Sequence, residues 1–336
     1  MIDEFMKNCR ICPRECGADR TAGCFGVCRA GTEMLVARAA LHAWEEPVIS
    51  GKNGSGAVFF SGCSLGCVYC QNYGISGTAL SAGTRKTPGA GQAKSIPGPA
   101  LPGKTVSEQQ LADIFLRLQD TEKANNINLV TATHFIPQVA ESLRIARDMG
   151  LRIPVIYNTG GYEKVSSLRL LEGLVDVYLP DLKYVSPDLA QRYSHAKDYP
   201  DRAKEAIREM VRQTGDAQFR PEPGNEENLL ITKGVIVRHL LLPGHTEEAK
   251  KVVTYLHETY GDRIYISLMN QYTPMETVKA VREDPLLGRK VTRREYEKLV
   301  NHALEIGVNN GFIQEGKTAE ESFIPAWNGE GTLPEK

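Results

Sequence analysis

Eight cysteines, Cys9, Cys12, Cys16, Cys24, Cys28, Cys63, Cys67 and Cys70, fall in the opening stretch of a 336-residue chain, and none follows Cys70. In a chain of this size, thiols so closely spaced point to metal or redox chemistry rather than to a disulfide framework. Cys63-Ser-Leu-Gly-Cys67-Val-Tyr-Cys70 puts three of them in one short loop. A [4Fe–4S] cluster held by four cysteines is closed and passes only electrons. Held by three, it keeps one iron open to bind a further group. Spacing alone equally allows half of a zinc site, or a cluster completed by a distant fourth cysteine.

The earlier group reads Cys9-x2-Cys12-Pro-Arg-x-Cys16, then Cys24-x3-Cys28. Five thiols are one more than a four-ligand site takes, and either zinc or a second iron–sulfur cluster accepts four. A further pattern, Gly98-Pro-Ala-Leu-Pro-Gly103-Lys104-Thr105, matches a phosphate-binding loop in letters only. Such a loop needs a strand before it and a run of backbone N–H groups. Pro97, Pro99 and Pro102 interrupt both.

The elements that must position these residues alternate in type. Apolar runs at 57–61, 127–133, 153–158, 175–179, 235–242 and 264–269 read as strands. They are short and rich in Val, Ile and Leu, as strands of a parallel sheet buried on both faces are. Amphipathic segments lie between them. Ser107 with Gln110 and Thr292 with Glu295 form capping boxes, Pro137 opens a helix and Thr246 caps one. Strand–helix alternation predicts βα units. The expected fold is therefore α/β, a partial (β/α)6 TIM-like barrel with a Cys-rich N-terminal extension. Chemistry in such a barrel sits on the loops at the C-terminal ends of the strands, and the second cysteine group follows the first strand directly. The expected divisions are a metal-binding extension at 1–50, a core at 51–310 and a C-terminal tail at 311–336. Residues 79–104, rich in Ala, Gly, Pro and Ser, read as a flexible connection.

Composition narrows the function classes. The chain is 41% hydrophobic and 24% charged, with 40 basic and 41 acidic residues and a formal net charge of -1. That balance gives no electrostatic footprint for nucleic acid or a membrane surface. No apolar run has the length of a transmembrane helix, and residues 1–10 carry no signal-peptide core. A cytoplasmic protein is expected.

The three-cysteine loop after a first strand resembles that of radical S-adenosylmethionine (SAM) proteins. Cys70-Gln-Asn72, Asn158-Thr-Gly-Gly-Tyr162, Pro180-Asp-Leu-Lys183 and Arg238-His-Leu-Leu-Leu-Pro-Gly244 resemble the branch related to pyruvate formate-lyase activating enzymes. The resemblance covers roughly residues 55–310. It implies a [4Fe–4S] cluster on Cys63, Cys67 and Cys70 that reductively cleaves SAM to a 5′-deoxyadenosyl radical, which abstracts hydrogen from a substrate under anaerobic conditions. It implies Tyr69 near the adenine, Asp181, Lys183 and Arg238 near the methionine part, and Gln271 near the ribose. Asn158, Thr159 and Asp181 are placed by it at a monovalent cation. It singles out Cys9, Cys12, Cys16 and Cys28, the last within Gly26-Val-Cys28, as a second metal site. The family often carries Gly-Gly-Glu after the second strand to hold the SAM amino group. Thr131-Ala-Thr-His134 stands there instead, so Thr131 and Thr133 are the expected replacements. His134, His239 and His245 sit at strand ends and read as structural. The implied partners are a flavodoxin- or ferredoxin-type electron donor and a glycyl radical enzyme, or another protein, peptide or small molecule, as substrate. The competing class is an iron–sulfur or zinc protein for electron transfer or binding, without SAM cleavage.

Overall fold

The computed structural model describes residues 2–77, 101–275, 279–314 and 326–332. Its strands are β1 Met34–His42, β2 Ser55–Phe60, β3 Lys104–Val106, β4 Ile127–Val130, β5 Val155–Thr159, β6 Val177–Pro180, β7 Gln218–Glu222, β8 Asn225–Leu240, β9 Tyr265–Met269 and β10 Gly311–Ile313. The order across the sheet is β10-β9-β8-β6-β5-β4-β2-β1-β3. From β2 to β10 every neighbouring pair is parallel. The six expected strands are all present in the expected order, and the architecture is a partial TIM-like barrel. β2, β4 and β6 are buried along their whole length, because helices cover one face and the barrel interior the other.

The longer helices are α1 Glu108–Asp120, α2 Ile136–Asp148, α3 Pro187–Ser194, α4 Tyr199–Thr214, α5 Thr246–Tyr260 and α6 Arg293–Glu305. Both capping boxes form: Ser107 and Gln110 at α1, Thr292 and Glu295 at α6. Thr246 is not the cap it was expected to be. His245 holds the N-cap position of α5 without a side-chain bond to the helix, and its Nε2 lies 3.0 Å from the Tyr193 hydroxyl instead.

Other differences have local causes. β4 stops at Val130 because Thr131 turns the chain at a φ of 62°, a left-handed conformation that β-branched residues rarely adopt. β1 and β3 add antiparallel strands beyond β2. β7 folds back on β8 through Pro223-Gly224, which starts β8 ten residues before the expected run. β10 lengthens the other edge. The sheet thus draws strands from both sides of the expected divisions at 50 and 310. Residues 98–100 of the phosphate-loop lookalike, and most of the 79–104 connection, lie outside the described residues. Lys104 and Thr105 open a three-residue strand rather than a helix, so the helix N-terminus that would cradle a phosphate is missing.

Both chain ends pack on this frame. Arg14 donates to the carbonyls of Ser64 (2.9 Å), His195 (2.5 Å) and Ser194 (3.2 Å), tying the Cys-rich extension to the three-cysteine loop and to α3. At the other end, Ala39 N–H donates to the Glu330 carbonyl (2.9 Å) and Gly329 N–H to that of Ala37 (3.0 Å). Trp327 stands edge-on against Phe59 of β2, ring centres 5.2 Å apart.

Candidate active site

Side chains from the C-terminal ends of the parallel strands surround one cavity of about 390 Å³, within the size range of small-molecule sites. The loop after β2 contributes Cys63, Cys67, Tyr69 and Cys70. β4 leads to Thr131 and Thr133, β5 to Asn158 and Thr159, and β6 to Asp181 and Lys183. Arg238 comes from β8 and Gln271 from beyond β9. Residues more than 200 positions apart in the chain therefore meet, and every residue selected for the cluster or for SAM lies on this wall.

A chain of hydrogen bonds runs behind the cysteines. The Cys67 thiol lies 2.9 Å from the Ser194 hydroxyl. Ser194 is 3.1 Å from the Tyr184 hydroxyl, which donates to Tyr69 at 2.6 Å. Tyr69 and Tyr184 are buried. Burial pushes the Cys67 thiol up and the Cys70 thiol up to about 12. Tyr199, from α4, accepts from Lys183 N–H and faces the carbonyls of Gly160 and Asp181, each at 2.9 Å. That one hydroxyl pins the β5 and β6 loops together.

The charged groups of the cavity pair with one another. Lys183 pairs with Asp181; burial is the largest influence on its pKa and lowers it, but the Asp181 carboxylate together with Cys67 and Tyr199 outweighs burial and holds it well above the usual lysine value. The resemblance places Arg238 near the methionine part of SAM. Its guanidinium is clasped by two protein carboxylates: Nε donates to Glu46 at 2.8 Å, and Nη2 reaches both Glu45 and Glu46. A guanidinium only 12% exposed needs such partners. Glu45 accepts in addition from Asn128 Nδ2 at 2.9 Å.

Thr133 and Thr159 use their hydroxyls inward. Thr133 donates to Glu163 Oε1 at 2.6 Å, Thr159 donates to the same oxygen, and Tyr157 does so at 3.3 Å. Glu163 is 1% exposed and its Oε2 has no partner. Burial, outweighing these donors, raises its carboxyl to about 7. Thr131 N–H is taken by the Asn158 carbonyl at 2.9 Å.

Two of the strand-end histidines turn a ring nitrogen to a backbone carbonyl. His134 is fully buried with Nε2 2.8 Å from the Ser61 carbonyl, and burial lowers its pKa to about 3. His239 Nδ1 lies 2.8 Å from the Leu182 carbonyl. Glu45, Glu46, Glu163, Tyr184 and Ser194 were not selected from the sequence. Only Glu163 carried a signal there, as a carboxylate two residues beyond the Gly160-Gly161 pair.

The Radical SAM superfamily model matches residues 57–256 of this chain. The chain belongs to the Radical SAM superfamily. It is 29% identical over 299 residues to an uncharacterized protein of Methanocaldococcus jannaschii, a match that covers 88% of this chain and 74% of the relative. Among solved structures it is similar to SuiB of Streptococcus suis bound to precursor peptide SuiA, at 15% identity and a TM-score of 0.45, over 76% of this chain and 46% of SuiB. The chain thus spans about half the length of that protein. It is also similar to a domain of pyruvate-formate lyase-activating enzyme from Bacteroides vulgatus, at 12% identity and a TM-score of 0.37, over 54% of this chain and 92% of the domain.

Radical SAM membership makes the chain an enzyme of SAM-dependent radical chemistry, and a [4Fe–4S] cluster and SAM are the cofactors the family implies. The donor set fits them. Three thiols share one wall of a cavity with open volume beside them. Among the described residues no three Cys, His, Asp or Glu side chains converge as ligands of a single ion. A cubane spreads its thiolates over separate irons, so convergence on one point is not what it needs. No described helix is long and apolar enough to cross a membrane.

Proposed function

We propose that this radical SAM enzyme holds its cluster on Cys63, Cys67 and Cys70 and its SAM in the cavity beside them. The observation that carries the reading is the meeting, in one cavity, of three thiols with polar groups from five further strand ends. When bound, the cluster and SAM supply one electron and a carbon-centred radical able to abstract hydrogen. The chain's own residues bind, orient and exclude water. Lys183, paired with the single carboxylate of Asp181, is offered to a ligand carboxylate, whereas Arg238 is held by both Glu45 and Glu46 and fixes the cavity wall. The buried Tyr69 lends an aromatic surface to the base. Thr133 and Thr159, whose protons point to Glu163, present oxygen lone pairs to an amino group. Asn158 and Gln271 supply polar contacts across the pocket, and Asn158 with Thr159 and Asp181 would seat a monovalent cation.

A protein or peptide substrate, with a backbone glycine of a glycyl radical enzyme as one candidate, is favoured by the rim. Trp44 and Ile313 line the cavity and are 65% and 52% exposed, and exposed large apolar groups at a cavity mouth mark contact surfaces. In this reading a flavodoxin- or ferredoxin-type protein delivers the electron, and Cys9, Cys12, Cys16 and Cys28 form a second metal site. Thiol-held clusters of this kind belong in a reducing, anaerobic cytoplasm.

The test is anaerobic reconstitution with iron and sulfide, reduction, and addition of SAM. We expect 5′-deoxyadenosine and a SAM-dependent change in the paramagnetic resonance of the reduced cluster. Alanine at Cys63, Cys67 or Cys70 should abolish both. A fully loaded protein whose resonance ignores SAM would make it an electron-transfer protein instead.

A further inference from the structure

Among the described residues, three carboxylates and two cations line the cavity: Glu45, Glu46 and Asp181 against Lys183 and Arg238. Asp181 and Lys183 balance each other. Glu45 and Glu46 share one guanidinium, so one carboxylate charge is left over. His42 also lines the cavity, its ring edge-on to Phe59 with centres 6.1 Å apart. Burial lowers its pKa below the ordinary histidine value, so at neutral pH it adds no third cation.

The surplus lies at Glu45. Glu46 accepts from Arg238 on both oxygens and again from Ser267. Glu45 accepts one bond on each oxygen, from Asn128 Nδ2 and from Arg238 Nη2, whereas a carboxylate has room for about four. The other arm of the Asn128 amide, Oδ1, is buried and has no partner. Acceptors therefore outnumber donors here. The Glu45 side chain is only 8% exposed, and a charge so placed needs a counter-ion.

Neither Glu45 nor Asn128 takes part in holding the cluster or SAM in the function proposed above. They also sit at another level. Asn128 pairs with Ala57, midway along β2, whereas Cys63 lies beyond the end of that strand. A metal ion would need three or more converging ligands, and among the described residues no such group of Cys, His, Asp or Glu exists. An organic cation needs a carboxylate and an aromatic face. Trp44, next to Glu45 in the chain, lines the same cavity from the rim, and indole is the side chain that attracts cations best.

We propose that the substrate carries a positively charged group, a protonated amine or a guanidinium, that Glu45 receives inside the cavity and Trp44 covers from the rim. That this ligand is the substrate rests on the function proposed above; the cation site itself does not.

Capped amino acids are the probes. The full-length chain, reconstituted anaerobically, is titrated calorimetrically with N-acetyl-lysinamide, N-acetyl-argininamide and the uncharged N-acetyl-norleucinamide, with and without SAM. At least one charged probe should bind ~10-fold or more tighter than the norleucine probe, the advantage of a charge-assisted hydrogen bond; which one it is tells amine from guanidinium. Charged probes that bind no better than norleucine overturn the proposal. Glu45→Gln should erase the preference and leave norleucine binding unchanged; a retained preference overturns the role of Glu45. Trp44→Leu, at an exposed position that the fold tolerates whatever happens at Glu45, should weaken the favoured charged probe about 3-fold and not the uncharged one; equal loss for both overturns the role of the indole. Failure of the function proposed above would show separately, as a reduced-cluster resonance indifferent to SAM, whatever the probes do.

Discussion

Glu163 is the residue whose environment makes the sharpest demand. Three hydroxyls converge on one of its oxygens while the other is buried and bare. Its carboxyl stays protonated in the folded chain up to about pH 7, whereas in the unfolded chain it ionises in the ordinary carboxylate range. Its contribution to stability is fully present below that range and is lost as pH rises through about 7. The span corresponds to roughly 3 kcal/mol. Chemical denaturation of the cofactor-free chain at pH 5 and pH 8 measures it. Glu163→Gln should remove that fall relative to wild type; a variant with the wild-type slope would assign the pH dependence elsewhere. The opposite-signed term from His134, which favours the fold above its ordinary pKa and weakens it as pH falls toward about 3, is present in both proteins and cancels in the comparison. The cysteine loop was legible because ligand chemistry writes itself into local spacing. Glu45 and Glu46 were not, because their partner Arg238 stands 192 positions away from Glu46, and adjacent glutamates ordinarily read as a solvated surface.

At the level of elements, the cavity depends on how closely consecutive loops approach. Gly161, after β5, has a φ of 80°, and a Cβ there would stand 2.2 Å from the Asp181 carbonyl oxygen beyond β6. Gly161→Ala must push these two strand ends apart. We expect a loss of about 3 kcal/mol of stability from strain and overpacking and at least ~10-fold weaker SAM binding, because Asp181 and Lys183 ride on the displaced segment. Equilibrium binding and denaturant midpoints read the two effects separately. The six central strands were legible from apolar runs alone, since a doubly buried parallel strand has little other composition open to it. The edge strands were not. β1 lies in a stretch dominated by its cysteine neighbours, β3 and β10 have three residues each, and β7 is half-exposed and charged. The amphipathic α4 did carry a signal: Pro200 in its first turn, then Ala203, Ala206, Ile207, Met210 and Val211 on the buried face.

At the scale of the molecule, the two ends of the chain serve the cavity from opposite sides. The Cys-rich extension abuts the three-cysteine loop through Arg14, while residues 326–332 pack on β1. Trp327 touches Phe59, and Phe59 lines the cavity. Trp327→Ala should therefore cost about 1 kcal/mol by removing the edge-on contact with that ring. It should also weaken SAM binding although Trp327 never touches the pocket. Unchanged affinity alongside the lost stability would make the segment a support for the sheet alone. Neither end was legible as part of the core, because a short docking segment buries too little of itself to leave a pattern.

The Glu46–Arg238 clasp closes a span of 192 residues, and that span fixes an order in time. At a synthesis rate of roughly 5–20 residues per second, Glu46 is made about 10–40 s before Arg238 exists to meet it. For most of that interval Cys63, Cys67 and Cys70 are already made, with no wall around them. Iron and sulfide delivered then would find no finished pocket, so maturation of this enzyme must wait for nearly the whole barrel while the cell keeps the waiting thiols from oxidation.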